Sequence, residues 1–269
     1  MSLKKIFGIA IWLTIGCKET KVPPTKITIN NIKTSTALAE KLAKIMNDDV
    51  ANYKQYLTNN DSCKLWQADT NTIMCLIMPN TYLVANGTSA KKVLQKIITE
   101  SATYWTANRT EKAKQLGLTT NQIVVLASIV EEETNNADDK GKIASVYINR
   151  LKKNMKLEAD PTLKFALKDF GLKRVLNIHK TLAAASPYST YANFGLPPGP
   201  ICIPEISTID AVLNAPSTAY IFFVAQPNNS GLSNFATDYK QHQLYATEYQ
   251  NYLNKIGIEK KRTSTPTLP

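Results

Sequence analysis

Apolar residues recur at helical spacing along most of this chain and alternate along very little of it. Residues 36–46 (Leu38, Leu42, Ile45, Met46) and 50–57 each carry one apolar face, which predicts two helices. Residues 27–32 alternate, with Ile27 and Ile29 on one side, which predicts a short strand. Residues 59–69 are rich in turn formers, and the apolar stretch 72–76 leads into Pro79, Asn80, Thr81 and Tyr82. Thr88 or Ser89 caps a predicted helix through Val93, Leu94, Ile97 and Ile98 that runs toward Trp105, with a polar helix following through Ala113. Residues 140–155 predict another helix, with Ile143, Tyr147 and Leu151 on one face and Asn149 and Arg150 interrupting it with polarity. Residues 157–162 predict an extended turn, because Pro161 biases Asp160 away from helix, and 163–167 a short helix. The loops 186–188 and 195–200 are stiffened by proline. Residues 209–213 read as helix. Residues 219–225 (AYIFFVA) are apolar on both faces, which predicts a central strand. A last helix is expected over 238–256, with Tyr245, Tyr249 and Tyr252 on one stripe.

One stretch breaks the pattern of ordinary amphipathic helices. Thr119 and Gln122 have the spacing of a capping box, and every residue from Ile123 to Val130 except Ser128 is apolar, so this helix should be buried all round. It ends in three consecutive carboxylates, Glu131, Glu132 and Glu133. Residues three and four apart share a face, so Glu133 continues the line of Val130, Ile129 and Leu126, whereas Glu131 continues that of Ala127 and Ser128. A carboxyl group held against apolar side chains loses hydration and gains proton affinity, which keeps an acid ready to donate near neutral pH. Three acids at a helix end also make a solvated cluster, mildly unfavourable beside the negative end of the dipole.

Composition narrows the classes. With 269 residues, 43% of them hydrophobic, the chain buries a real core in one or two domains. A formal charge of +11 suits nucleic acid, anionic lipid or an anionic wall polymer, yet it is spread along the chain and no nucleic-acid motif accompanies it. The four cysteines form no CxxC pair, and His179 and His242 lack ligand spacing, so neither a metal nor a cofactor is implied. Residues 1–17 place Lys4 and Lys5 before a short apolar run ending at Cys17, which reads as an export signal or membrane anchor, with Cys17 open to acylation although Thr14 departs from the lipobox. Residues 18–26, with Pro23 and Pro24, read as a linker, and 259–269 as a loose tail.

Five blocks in order then carry a resemblance: MPNTY (78–82), LASIVEEET (126–134), ASVYINRLKKNMKLEADPT (144–162), SPYSTYANFGLPPGPICIP (186–204) and NFATDYKQH (234–242). Over residues 73–258 the chain resembles the MltG/YceG-like endolytic murein transglycosylases of bacteria. The resemblance implies an α+β fold, helix-rich with a small mixed β-sheet, over residues 27–258, divided into a smaller part (27–115) and a catalytic core (116–258). It implies a lytic transglycosylase that cleaves the β-1,4 bond between N-acetylmuramic acid and N-acetylglucosamine in nascent glycan strands and leaves 1,6-anhydro ends. The family's catalytic acid falls on Glu133, the residue the helical-face argument selects, with Glu131 in support. Asn149, Asp160, Thr162, Tyr191 and the Gly195, Leu196, Pro197 loop are expected to shape the glycan groove. The implied partners are peptidoglycan strands, peptidoglycan synthases, and the inner membrane through the N-terminus, with the catalytic domain outside the cytoplasm.

The chain departs from the family's pattern in three places. The segment before the first matching block is too short for the usual membrane helix plus LysM-like module, so that module is expected to be lost or reduced. Glu158 stands where glutamine is usual, and Ser233 where a histidine is usual. These departures keep a non-catalytic wall-binding scaffold open as the alternative. A hydrolytic muramidase would instead leave reducing ends, and a nucleic-acid binder would lose affinity steeply with salt.

Overall fold

The computed structural model describes residues 23–263. The export signal over 1–17, Cys17, the first part of the linker and residues 264–269 of the tail lie outside the described residues. Two hydrophobic cores organise the rest.

The first core grows from a strand pair. β1 (Thr25–Ile29) pairs antiparallel with β2 (Asn80–Val84), with Ile27 opposite Tyr82. Between them run α1 (Ser35–Met46), α2 (Val50–Leu57), the short α3 (Asn60–Cys63) and 3-10 turns at Lys64–Trp66 and Ile73–Leu76. α4 (Ala90–Ala102) follows β2. Thr34 and Asp49 cap α1 and α2 through their side-chain oxygens. Ile27, Ile29, Leu38, Leu42, Tyr53, Leu57, Leu94 and Ile97 meet in the interior. The Tyr82 hydroxyl donates to the carbonyl of Met78 at 2.6 Å, so the buried phenol is satisfied. The pattern alone left residues 80–84 unassigned, because a five-residue strand flanked by proline and turn residues shows too little alternation to read.

The second core is built around α6 (Thr120–Glu133). The capping box of Thr119 and Gln122 is formed in both directions, and all residues from Ile123 to Val130 are buried. Fully burying a Val, Leu or Ile side chain is worth about 1.5–3 kcal/mol, so the burial of Ile123, Val124, Val125, Leu126, Ile129 and Val130 holds this helix firmly in the core. It is flanked by α5 (Ala107–Gln115), α7 (Ala137–Lys152), α8 (Asp160–Leu167) and α10 (Ile206–Leu213). α9 (Asn177–Leu182) was not legible in the sequence; it buries none of its residues, so no apolar face marks it. α11 (Tyr239–Thr263) closes the described chain and extends past residue 256.

Two expectations change. The sheet is not one mixed sheet: β3 (Phe222–Ala225) pairs only with β4 (Ser233–Ala236), antiparallel, separate from β1 and β2. The segment 219–225 is therefore not a central strand. The carbonyls of Thr218 and Tyr220 accept from Asn149, and that of Ile221 from Arg150, so α7 side chains occupy groups that a neighbouring strand would otherwise take. Its two apolar faces serve different neighbours, with Phe223 edge-on to Tyr147 and Phe222 stacked on His242 of α11. Asp160 is likewise not in an extended turn but opens α8. Ala159 takes the extended backbone, and Pro161 sits in the first turn, where its missing N–H is no loss.

The segment 199–203, at the end of the proline-stiffened loop, joins the two cores. Ile203 donates to the carbonyl of Ile32 at 2.8 Å, and Ile201 to the Ser128 hydroxyl at 3.0 Å. Gly199 presses so closely on the first core that a Cβ there would stand 2.1 Å from the carbonyl oxygen of Asn71. Gly199→Ala should therefore destabilise the protein by about 1–3 kcal/mol or more in urea unfolding. Gly171→Ala, whose added carbon would meet nothing nearer than 3.7 Å, should stay within about 0.5 kcal/mol of the parent.

Candidate active site

The last turn of α6 sends its three carboxylates in three directions. Glu131 turns toward α10 and the start of α7, where it accepts from Lys140 at 3.1 Å and from the Thr208 hydroxyl. Lys140 also donates to Thr208 at 2.6 Å, and both members of the ion pair are nearly buried. Glu132 pairs with Lys33 at 2.5 Å and so ties α6 to the segment that follows β1. Glu133 alone reaches a cleft of about 280 Å³, and among the described residues it forms no ion pair. The cleft is walled by Tyr147 and Arg150 of α7, the Leu157–Glu158–Asp160 approach to α8, Tyr191, Phe222 and Phe223 of β3, and His242 of α11.

The Glu133 carboxyl is only partly open to solvent, at the edge of the core. Burial pushes its pKa up to about 7; the hydrogen bond from Tyr147 opposes this, the negative charge of Asp160 adds to it, and Lys164 weighs slightly against it. Tyr147 donates to Glu133 Oε1 at 2.6 Å. Across the cleft a second phenol repeats the arrangement, with Tyr191 donating to Asp160 Oδ1 at 2.7 Å. Burial and the neighbouring carboxylates raise both phenols, so both are donors at neutral pH. Arg150 is nearly buried and donates to the carbonyls of Ile221, Lys156 and Leu157 and to Glu158 at 3.1 Å. Glu158 holds a left-handed backbone at φ +52, a sparsely populated conformation for a non-glycine residue. Burial, and then Arg150, hold the His242 imidazole below its usual pKa, so it stays neutral at pH 7. The arrangement offers a carboxylic acid that holds its proton up to about pH 7, with the Asp160 carboxyl group in the same cleft and aromatic walls around them.

The residues singled out from sequence divide. Glu133, Asp160 and Tyr191 line the cleft together. Thr162 is fully buried and bonds the carbonyl of Ala159 and the Thr190 hydroxyl, so it shapes the approach to Asp160 from below. Asn149 holds the chain entering β3 rather than facing the cleft. Glu131 lies outside the cleft in its own buried pair. Gly195, Leu196 and Pro197 do not line it either; Gly195 turns the chain at φ +79, and Leu196 packs on the second core. Tyr147, Arg150, Phe222, Phe223 and His242 were not singled out. The three-residue spacing of Tyr147 and Arg150 on one helix face was visible, but Tyr147 read as part of an apolar stripe. Among the described residues no group of three or more His, Cys, Asp or Glu gathers as a metal site, and Cys63, Cys75 and Cys202 are free and buried. Among those residues no helix is long and apolar enough to cross a membrane.

The profile of the YceG-like family matches residues 9–248. A Bacillus subtilis protein named endolytic murein transglycosylase is 33% identical over 180 residues, 66% of this chain and 48% of that protein. A Streptococcus pneumoniae protein of the same name is 27% identical over 181 residues, 65% of this chain and 32% of that protein. The chain thus spans less than half the length of these relatives. Among solved structures, a YceG-like protein from Listeria monocytogenes superposes with a TM-score of 0.68 at 24% identity, covering 82% of this chain and 75% of that one, a likeness of fold.

Two measurements follow from the charges. The folded protein holds the Glu133 proton up to about pH 7, against an ordinary value of 4.5, so its contribution to stability is present below pH 4.5 and is lost as pH rises through 7. Glu133→Gln should therefore gain thermal stability relative to the parent between pH 5 and pH 8, on the order of 2 kcal/mol. A constant difference across that range would refute the raised acid. Glu131→Ala should cost roughly 3 kcal/mol in the same assay, because Lys140 is left buried without its partner.

Proposed function

The chain belongs to the YceG-like family, and we propose that it is an endolytic lytic transglycosylase of peptidoglycan with Glu133 as its acid and base. The observation that carries this reading is a single carboxyl group, proton-bearing up to about pH 7, at the end of a buried helix and open to a cleft. The names of the Bacillus and Streptococcus relatives support the substrate class.

The reaction needs one acid that becomes a base. Protonated Glu133 donates to the glycosidic oxygen between N-acetylmuramic acid and N-acetylglucosamine. The C1–O bond breaks, and its electron pair leaves with the N-acetylglucosamine oxygen as a hydroxyl group. Positive charge develops at C1, and the Glu133 carboxylate left by the proton transfer stabilises it, in a cleft that Asp160 also lines. Glu133 then takes the proton of the muramic C6 hydroxyl as O6 bonds C1, which closes the 1,6-anhydro ring and restores the acid. No water is consumed, and no second carboxylate is needed to activate one, unlike in inverting glycosidases. The phenyl rings of Phe222 and Phe223 offer apolar surface to the sugar faces.

We extend the reading to location and partners. An envelope enzyme outside the cytoplasm, attached to the inner membrane through the apolar run within 1–17 and working beside peptidoglycan synthases, fits the chemistry and the lysines ahead of that run.

Mass spectrometry of uncrosslinked glycan strands incubated with the parent and with Glu133→Gln tests the proposal. The expected result is anhydro-ended fragments from the parent and a loss of at least about 100-fold in the variant, the scale of general acid–base catalysis. Hydrated reducing ends would make the protein a hydrolase. Strands bound but left whole by a folded parent would make it a scaffold.

A further inference from the structure

Tyr147 lies in the same stripe of α7 as Ile143 and Leu151, and a core role would explain its ring. It does not explain the hydroxyl. The side chain is 2% exposed, its ring stands edge-on to Phe223 at 5.9 Å and 88°, and its oxygen is 2.6 Å from Glu133 Oε1. Packed on these sides, the ring has one direction in which to aim its phenol, and that direction is the proposed acid.

We propose that Tyr147 is the positioning residue of the acid: by donating to Oε1 it leaves Oε2 as the one oxygen that gives up and retrieves the proton in the cleft. This rests on the reading of Glu133 given under the proposed function. The phenol keeps its own proton throughout the working range and has no second acidic neighbour bonded to it, so it faces Oε1 as a donor whether Glu133 is neutral or ionised. The carbonyl oxygen of a carboxylic acid is its better acceptor, so a donor fixed on one oxygen favours the form that carries the proton on the other. The transferable proton therefore sits on Oε2 before the first step, and the C6 hydroxyl returns its proton to Oε2 in the second. The bond is stronger to the carboxylate than to the acid, so it steadies Glu133 in the interval between the two steps. Tyr147 acts through Glu133 and touches no reacting atom of the sugar.

The other charged and titratable groups around Glu133 do not duplicate this contact. Arg150 from α7 is taken up by backbone carbonyls and Glu158. Asp160 and Lys164 from α8 act on Glu133 through space with opposite signs. Tyr191 is bonded to Asp160, and His242 from α11 is stacked on Phe222. On α6 itself, Glu131 and Glu132 are paired with Lys140 and Lys33.

The test titrates the Glu133 carboxyl carbon by NMR in the full chain labelled with ¹³C-glutamate, assigned by its absence in Glu133→Gln. Tyr147→Phe keeps the ring and removes the donor. It should raise the proton affinity of Glu133 at least threefold and move the alkaline limb of the activity profile up by the same factor, with kcat falling more than KM changes. Incorporation of 3-fluorotyrosine at position 147, a stronger donor of nearly the same shape, should shift both the other way. An unmoved titration in folded Tyr147→Phe, with the parent active, would overturn the positioning role alone. A parent that binds strands and never cleaves them would overturn the catalytic reading and this role with it.

Discussion

The cleft depends on the desolvation of one carboxyl group. α6 is buried on every side as far as Val130, so its last turn delivers three acids to the margin of a core where ionised groups are costly. Glu131 and Glu132 escape that cost through Lys140 and Lys33. Glu133 meets no cation among the described residues at ion-pair distance, and burial outweighs the opposing hydrogen bond from Tyr147, so it holds its proton up to about pH 7. Had a lysine stood in place of Tyr147, the same burial would have produced a third structural ion pair and an ionised, inert carboxylate.

The two ion pairs do more than neutralise. Glu132–Lys33 reaches from the second core to the segment after β1, and Glu131–Lys140–Thr208 clamps α6 between α7 and α10. Together they hold the end of α6 from two sides. A donor oxygen that must meet a glycosidic bond within hydrogen-bond reach needs such a fixed support. The sheet contributes in the same way. β3 is short and pairs with one strand only, but Asn149 and Arg150 of α7 bind the chain leading into it, and this sets Phe222 and Phe223 as one wall of the cleft.

Local pattern was informative wherever a segment's own composition decides its conformation. The capping box of Thr119 and Gln122, the burial of residues 123–130 and the helices α1, α2 and α4 were all legible, because cap spacing and apolar periodicity are properties of contiguous residues, whereas the four-residue α3 lay in a stretch that read as turns. Three of the singled-out residues, Glu133, Asp160 and Tyr191, meet in the cleft. The misplaced strand at 219–225 shows the limit: a run of apolar residues states that it will be covered, not by what.

The sequence by itself determined that a buried helix would end in acids, and helical geometry selected Glu133 as the one in line with the apolar stripe. Five ordered blocks determined the family. Only the tertiary structure decided which acids would be neutralised, because Lys33 and Thr208 come from distant segments, Lys140 from the next helix, and no spacing rule connects them to residues 131–133. It also turned Tyr147 from a core aromatic into a donor to Glu133, placed Asn149 and Glu131 outside the cleft, and added Arg150 and His242 to its walls. The physical reason is common to all of these: desolvation and hydrogen-bond partnership belong to the assembled environment of a side chain, and the chain reveals that environment only when it folds.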